Sequence, residues 1–160
     1  DQLVGEVSAN CDPIARGKGI EFLALAESAH AAVWVSRTDL VGALINLIEN
    51  AIGEVPAGGI VALDAEVDAT NVTFCVCDNG PGIALALQKR LFEPFFTTRA
   101  QGTGLGLAIA RGVARAHGGD LELRPGRDSP GRRWTTEFRL SLPRAAEAKT
   151  SNRVQSGEKP

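Results

Sequence analysis

The chain has 160 residues, 44% of them apolar, enough for one domain with a substantial core. Its formal charge of −2 gives no electrostatic basis for nucleic acid or an anionic membrane as a main partner. No apolar run approaches the roughly 20 residues of a membrane span, and the first residues given do not read as a signal peptide.

Cys11, Cys75 and Cys77 match no zinc spacing. Cys75 and Cys77, on one face of a strand, read as packing residues, and reduced thiols suit a cytosolic setting. The chain opens at Asp1 and lacks methionine, so it reads as a piece of something longer, with any membrane anchor outside it.

In chain order, Leu3 to Ala15 carry spaced apolar positions and predict a helix closed by the turn Arg16-Gly17-Lys18-Gly19. Ile20 to Ala26 and Ala32 to Val35 read as short strands. Thr38 or Asp39 is then the expected cap of a helix running to about Val55. Its Leu40, Leu44, Leu47, Ile48 and Ala51 form a core stripe, and Asn46, Asn50 and Gly53 fall together on an adjoining face. Ile60 to Val67 and Asn71 to Cys77 predict an antiparallel hairpin after the turn Pro56-Ala57-Gly58-Gly59. A glycine-containing loop, a short helix from Leu85 to Leu91 and a long irregular stretch come next.

A second strong helix is expected from about Gly104 to His117, stopping at Gly118-Gly119. Leu121 to Leu123 and Trp134 to Leu142 supply two further strands. From Arg144 the chain is polar and lacks aromatics, which predicts a domain over residues 1–143 and a disordered tail over 144–160. The order of elements indicates an α/β fold, a two-layer sandwich of about five strands in a mixed sheet covered on one face by about three helices.

Three segments together describe a nucleotide pocket: Asn46-x-x-x-Asn50, DNGPGI from Asp78 to Ile83, and GTGLGLAIA from Gly102 to Ala110. Asp78 ends an apolar strand, where a carboxylate needs a donor to offset its desolvation. An exocyclic amine is such a donor, and it separates adenine from guanine. Gly80 and Gly82 flank Pro81 in a tight turn where backbone can approach a ligand. Gly102, Gly104 and Gly106 run directly into a helix, offering N–H groups and the positive end of its dipole to phosphate. Asn46 and Asn50 stand one helical turn apart, and amide oxygens are suitable ligands for Mg²⁺ when supplemented by phosphate and water. For Asn46 a packing role competes with this; for Asn50 the metal is favoured. The cofactors so indicated are ATP and Mg²⁺, held without a P-loop.

NLIENAI (Asn46 to Ile52), DNGPGI, FEPFFTT (Phe92 to Thr98) and GTGLGLAIA are similar to the N, G1, F and G2 boxes of bacterial sensor histidine kinases. These belong to the superfamily of gyrase, heat-shock chaperones, histidine kinases and MutL. The resemblance extends from about residue 3 to Pro143 and implies the Bergerat-type ATP-binding sandwich. By position it assigns Mg²⁺ to Asn50 and the adenine to Asp78, with Thr136 supporting that carboxylate. Gly80, Gly82 and Ile83 then shape the adenine side, and Thr98, Arg99, Gly102, Thr103, Gly104, Leu105, Gly106 and Leu107 form the phosphate-side lid and its hinge. Asn46, Asn50 and Arg99 make up the implied catalytic set.

The implied activity is delivery of the γ-phosphate to a histidine on a separate dimerisation domain, then relay to a response-regulator aspartate, in the cytoplasm. His117 matches a structural feature and His30 reads as a surface residue. The short lid and the Pro56-Ala57-Gly58-Gly59 turn resemble the nitrogen-regulation-type subgroup, whose regulators act with the alternative sigma factor. Two other functions can be set against the same boxes. An ATP-driven clamp needs a water-activating carboxylate where Asn46 stands, and Asn46 is no general base. A nucleotide-binding module without transfer remains open on sequence. The chain departs from the family at Gly53, where a larger residue is common, and at Glu137, where a small one is usual.

Overall fold

The computed structural model describes residues 2–26, 31–100, 102–129 and 131–145. Helix α1 (Gln2–Gly17) leads into strand β1 (Glu21–Ala24) and helix α2 (Arg37–Glu54). The hairpin β2 (Ile60–Val67) and β3 (Asn71–Asp78) precedes a short helix α3 (Leu85–Gln88) and helix α4 (Gly106–Ala116). Strand β4 (Asp120–Pro125), a small hairpin of β5 (Asp128–Ser129) and β6 (Arg132–Arg133), and strand β7 (Thr136–Pro143) complete the described fold.

The main sheet has the order β1-β2-β3-β7-β4, with β1 parallel to β2 across the α2 crossover and the remaining pairs antiparallel. Two layers result, as the sequence pattern requires. The expected core stripe of α2 is buried, with Leu40, Leu44, Leu47 and Ile48 fully inaccessible, against Val61, Leu63, Val76, Phe138 and Leu140 of the sheet. Burying one such side chain contributes roughly 1.5–3 kcal/mol, so this stripe fixes how α2 lies on the sheet. The helix therefore presents its asparagine face at one end of the strands.

Four boundaries differ from expectation, each for a local reason. Ser36 is the N-cap of α2, with its Oγ accepting from the Asp39 N–H at 3.3 Å; Thr38 and Asp39 lie inside the first turn. Asp39 there still suits the positive end of the helix dipole. Ala32 to Val35 is no strand; Val33 makes only an isolated bridge to Arg144 before the chain turns into the cap. Helix α3 stops at Gln88 because the next hydrogen bonds tighten to an i+3 pattern, Arg90 N–H to the Leu87 carbonyl and Glu93 N–H to that of Arg90. Helix α4 starts at Gly106, since Gly104 is left-handed at φ +69° and cannot belong to it.

The other sheet face carries Cys75 and Cys77 beside Ala62 and Trp134. Burial pushes the Cys77 thiol up to about 12, with Glu137 adding to it, and the Cys75 thiol higher still. Both are packing residues, as expected. Glu137, the departure noted above, is 4% exposed and sits in an ion network. Arg139 Nη1 donates to its Oε1 at 3.0 Å, while Arg139 Nη2 reaches Glu66 at 2.6 Å. Arg127 lies 2.6 Å from Glu66 and 3.6 Å from Glu137. The pairing satisfies a buried charge that would otherwise be costly, and β7 keeps its full register. The tail expected from Arg144 lies outside the described residues from position 146, as does His30. Arg144 and Ala145 are still held, by N–H bonds to the carbonyls of Thr70 and Ala32.

Candidate nucleotide site

A cleft of about 350 Å³ opens where the ends of α2, β3 and β7 meet the stretch between α3 and α4. That size suits a small-molecule site. Its base is Asp78, the last residue of β3, only 5% exposed. The Gly80 N–H donates to Asp78 Oδ1 at 2.9 Å, and the Thr136 hydroxyl donates to the same carboxylate. Burial nonetheless raises the Asp78 carboxyl above its ordinary range, with Glu54 adding to the rise and the two hydrogen bonds opposing it. A carboxylate has about four lone-pair sites, so two donors leave capacity for a third from the cleft. Ile83, Leu87, Leu91 and Phe138 provide an apolar wall beside it, fit for a flat heterocycle.

The opposite wall is α2. Asn46, Asn50 and Glu54 follow one another at every fourth position and all line the cleft, with Glu49 beside them. The lid side is built from Thr97, Thr98, Arg99, Gly102, Thr103 and Gly104, followed by Gly106 and Leu107 at the start of α4. Two conformational features lock this side together. Phe95 is the one non-glycine with positive φ among the described residues, at +66°, and its N–H donates to the Gly104 carbonyl at 2.9 Å. A Cβ at Gly104 would stand 2.8 Å from both the Cα and the carbonyl oxygen of Phe95, so only glycine fits. The FEPFFTT and GTGLGL segments are thus one interlocked unit.

Of the residues expected at the site, Asn46, Asn50, Asp78, Gly82, Ile83, Thr98, Arg99, Gly102, Thr103, Gly104, Gly106, Leu107 and Thr136 line the cleft. Gly80 and Leu105 do not. Gly80 acts one step back, aiming Asp78 through its N–H, and Leu105 is the N-cap residue of α4. Glu49, Glu54, Leu87, Leu91 and Phe138 also line the cleft and were missed. Glu54 was within reach of the sequence, as the next step of the Asn46/Asn50 row; Phe138 needs the sheet register to be seen.

Among the described residues no group of three His, Cys, Asp or Glu side chains converges to hold a metal. A Mg²⁺ here would take amide oxygen from α2 and the rest of its shell from phosphate and water, a donor set that ion accepts. His117 closes α4, its Nδ1 2.8 Å from the Val113 carbonyl oxygen, away from the cleft. No described helix is long and apolar enough to cross a membrane.

Residues 35–146 match the model of the family described as histidine kinase-, DNA gyrase B-, and HSP90-like ATPase. The chain belongs to that family. It is 36% identical over 133 residues to the sensory histidine kinase/phosphatase NtrB of Rhizobium leguminosarum bv. phaseoli, covering 73% of this chain and 33% of NtrB. The fold matches the catalytic domain of the histidine kinase ThkA with a TM-score of 0.77 and 32% identity, over 89% of this chain and 90% of that domain. It also matches ThkA in complex with the response regulator protein TrrA, with a TM-score of 0.73 and 28% identity, over 90% of this chain and 40% of that one. The chain spans 15% to 33% of the length of the curated kinases it matches. It is an ATP-binding catalytic domain of the histidine kinase type.

Proposed function

We propose that this domain binds MgATP in the cleft and delivers the γ-phosphate to a histidine on a dimerisation domain outside this chain. A response-regulator aspartate then receives it. The observation that carries the reading is the buried Asp78 carboxylate, held by Gly80 and Thr136 with acceptor capacity facing an apolar wall. Asp78 takes the exocyclic amine of adenine, and Gly82 and Ile83 lie along the base. Asn50 contributes an amide oxygen to the metal, and Asn46 stands beside it on α2. Bound Mg²⁺ neutralises charge on the phosphate oxygens. Thr98, Arg99, the 102–104 segment and the first residues of α4 face the phosphates. Phosphoryl transfer asks mainly for positioning and charge neutralisation, and these residues supply both.

The receiver partner is proposed to be of the sigma-54 activator type, supported by the similarity to NtrB and by the turn after Val55. ThkA, similar in fold, is seen in complex with a response regulator protein. The domain is placed in the cytoplasm, where both ATP and a receiver domain are available. The test is transfer of label from γ-³²P-ATP to a supplied dimerisation/histidine domain. Label on that domain's histidine supports the reading. ATP binding with no transfer would leave a nucleotide-binding module instead.

A further inference from the structure

The acidic side chains at the cleft outnumber the basic ones. Glu49, Glu54 and Asp78 line it, and Arg99 is the only cationic side chain among the described residues that do. Among the described side chains that line the cleft, an anion therefore meets positive charge only at Arg99. Its backbone is fixed: the Arg99 N–H donates to Thr97 Oγ1 at 3.0 Å, and its carbonyl accepts from the Gly102 N–H at 3.1 Å. Its guanidinium lies against α2 at Gly53. A Cβ added to Gly53 would be 2.5 Å from Arg99 Cζ and 2.7 Å from Nη2, so the guanidinium fills the space any side chain at 53 would need. The nearest carboxylate, Glu54 Oε1, is 3.8 Å from Arg99 Nε, beyond hydrogen-bond range. That spacing keeps the cation near α2 without tying it up, leaving its planar donors for phosphate.

We infer that Gly53 is a positioning residue whose missing side chain seats the Arg99 guanidinium against α2, so that recognition of the outer phosphates depends on this notch. The inference rests on the reading of the cleft as a nucleotide site. Gly53 touches no ligand itself; it acts through Arg99.

The test compares wild type, Gly53→Ala, Arg99→Ala and the double variant, titrated with ATP, ADP and adenosine in EDTA, where no metal substitutes for the cation. Alanine favours a helix interior over glycine, so Gly53→Ala should stay folded, and a thermal melt checks this. Arg99→Ala is expected to weaken ATP at least tenfold, ADP less, and adenosine not at all; Gly53→Ala, which displaces the flexible guanidinium end and does not remove it, should weaken ATP by a smaller factor in the same ligand order. The double variant should lose no more than Arg99→Ala alone. Wild-type ATP affinity in Gly53→Ala, an equal loss for all three ligands, or additive losses in the double variant would each overturn the inference. Failure of the wild type to bind ATP at all would instead overturn the nucleotide-site reading beneath it.

Discussion

Asp78 and Thr136 are register partners at the ends of β3 and β7, and the Thr136 hydroxyl is bonded to the Asp78 carboxylate. The pair places a charge where burial opposes it. Burial holds the Asp78 carboxyl above its unfolded value, so folding here favours the protonated form. Any stability from this group is present at low pH and is lost as pH rises through the folded value; at neutral pH the ionised carboxylate opposes folding.

Asp78→Asn is therefore expected to weaken ATP while leaving the fold as stable as before or more so. The amide oxygen still accepts from Gly80, and the Thr136 hydroxyl can turn to accept from the amide N–H. The lost charge-assisted bond to the base corresponds to roughly 1.5–3 kcal/mol, about a ten- to hundredfold weaker Kd. Calorimetric titration beside a thermal melt measures both. Wild-type affinity would remove Asp78 from the adenine site.

Asn50→Ala should weaken nucleotide mainly when Mg²⁺ is present, because the amide oxygen is assigned to the metal. Titrations with Mg²⁺ and with EDTA separate the roles. A similar loss under both conditions would make Asn50 part of the scaffold.

Gly104→Ala forces a side chain into the left-handed region and onto the Phe95 backbone. The expected result is a sharp loss of ATP affinity with little change in global melting, since Phe95 is 76% exposed and the interlock stands off the core. Hydrogen exchange across residues 95–106 should show protection by an ATP analogue beyond that by ADP in wild type, and not in the variant. Matching protection by both nucleotides in wild type would separate this segment from the γ-phosphate.

Asp120 receives Arg111 at 2.9 Å and Arg115 at 3.0 Å, and the Arg111 hydrogen bond leads the forces holding its carboxyl well below the carboxylate range. A lowered folded value contributes stability above the unfolded pKa of about 3.9 that is lost as pH falls through the folded one. Asp120→Asn should cost about 1 kcal/mol at pH 7, the figure for a solvent-screened pair, because the side chain is 40% exposed. The cost should shrink below about pH 4. Urea midpoints at both pH values check it, and a cost unchanged in acid would show that packing is responsible.

The apolar spacing in α2 and the alternation in β2 set the layers, and these were legible because burial repeats along the chain. The boxes named Asp78 and Asn50 because residues adjacent in sequence form each local cradle. What stayed hidden depends on distant segments meeting. In sequence Glu137 and Gly53 are only departures from the family pattern; the fold brings Arg139 and Arg127 beside the one and lays Arg99 over the other. The start of α4 shifted for the same reason, since Phe95 decides the conformation of Gly104.

The position of β7 bears on how the molecule is made. Among the described residues it is the last strand of the sheet in chain order, yet it lies between β3 and β4, so it is inserted rather than appended. On a ribosome, β3 emerges with one edge bare, and β4 has no partner in the main sheet until Thr136–Pro143 arrives. Asp78 likewise lacks Thr136 until that moment. A chain truncated before the last strand would carry every signature segment and still hold no nucleotide, while exposing an apolar edge to its neighbours. Ligand binding thus distinguishes a finished chain from an interrupted one, and the interrupted one is the species a chaperone or protease would find.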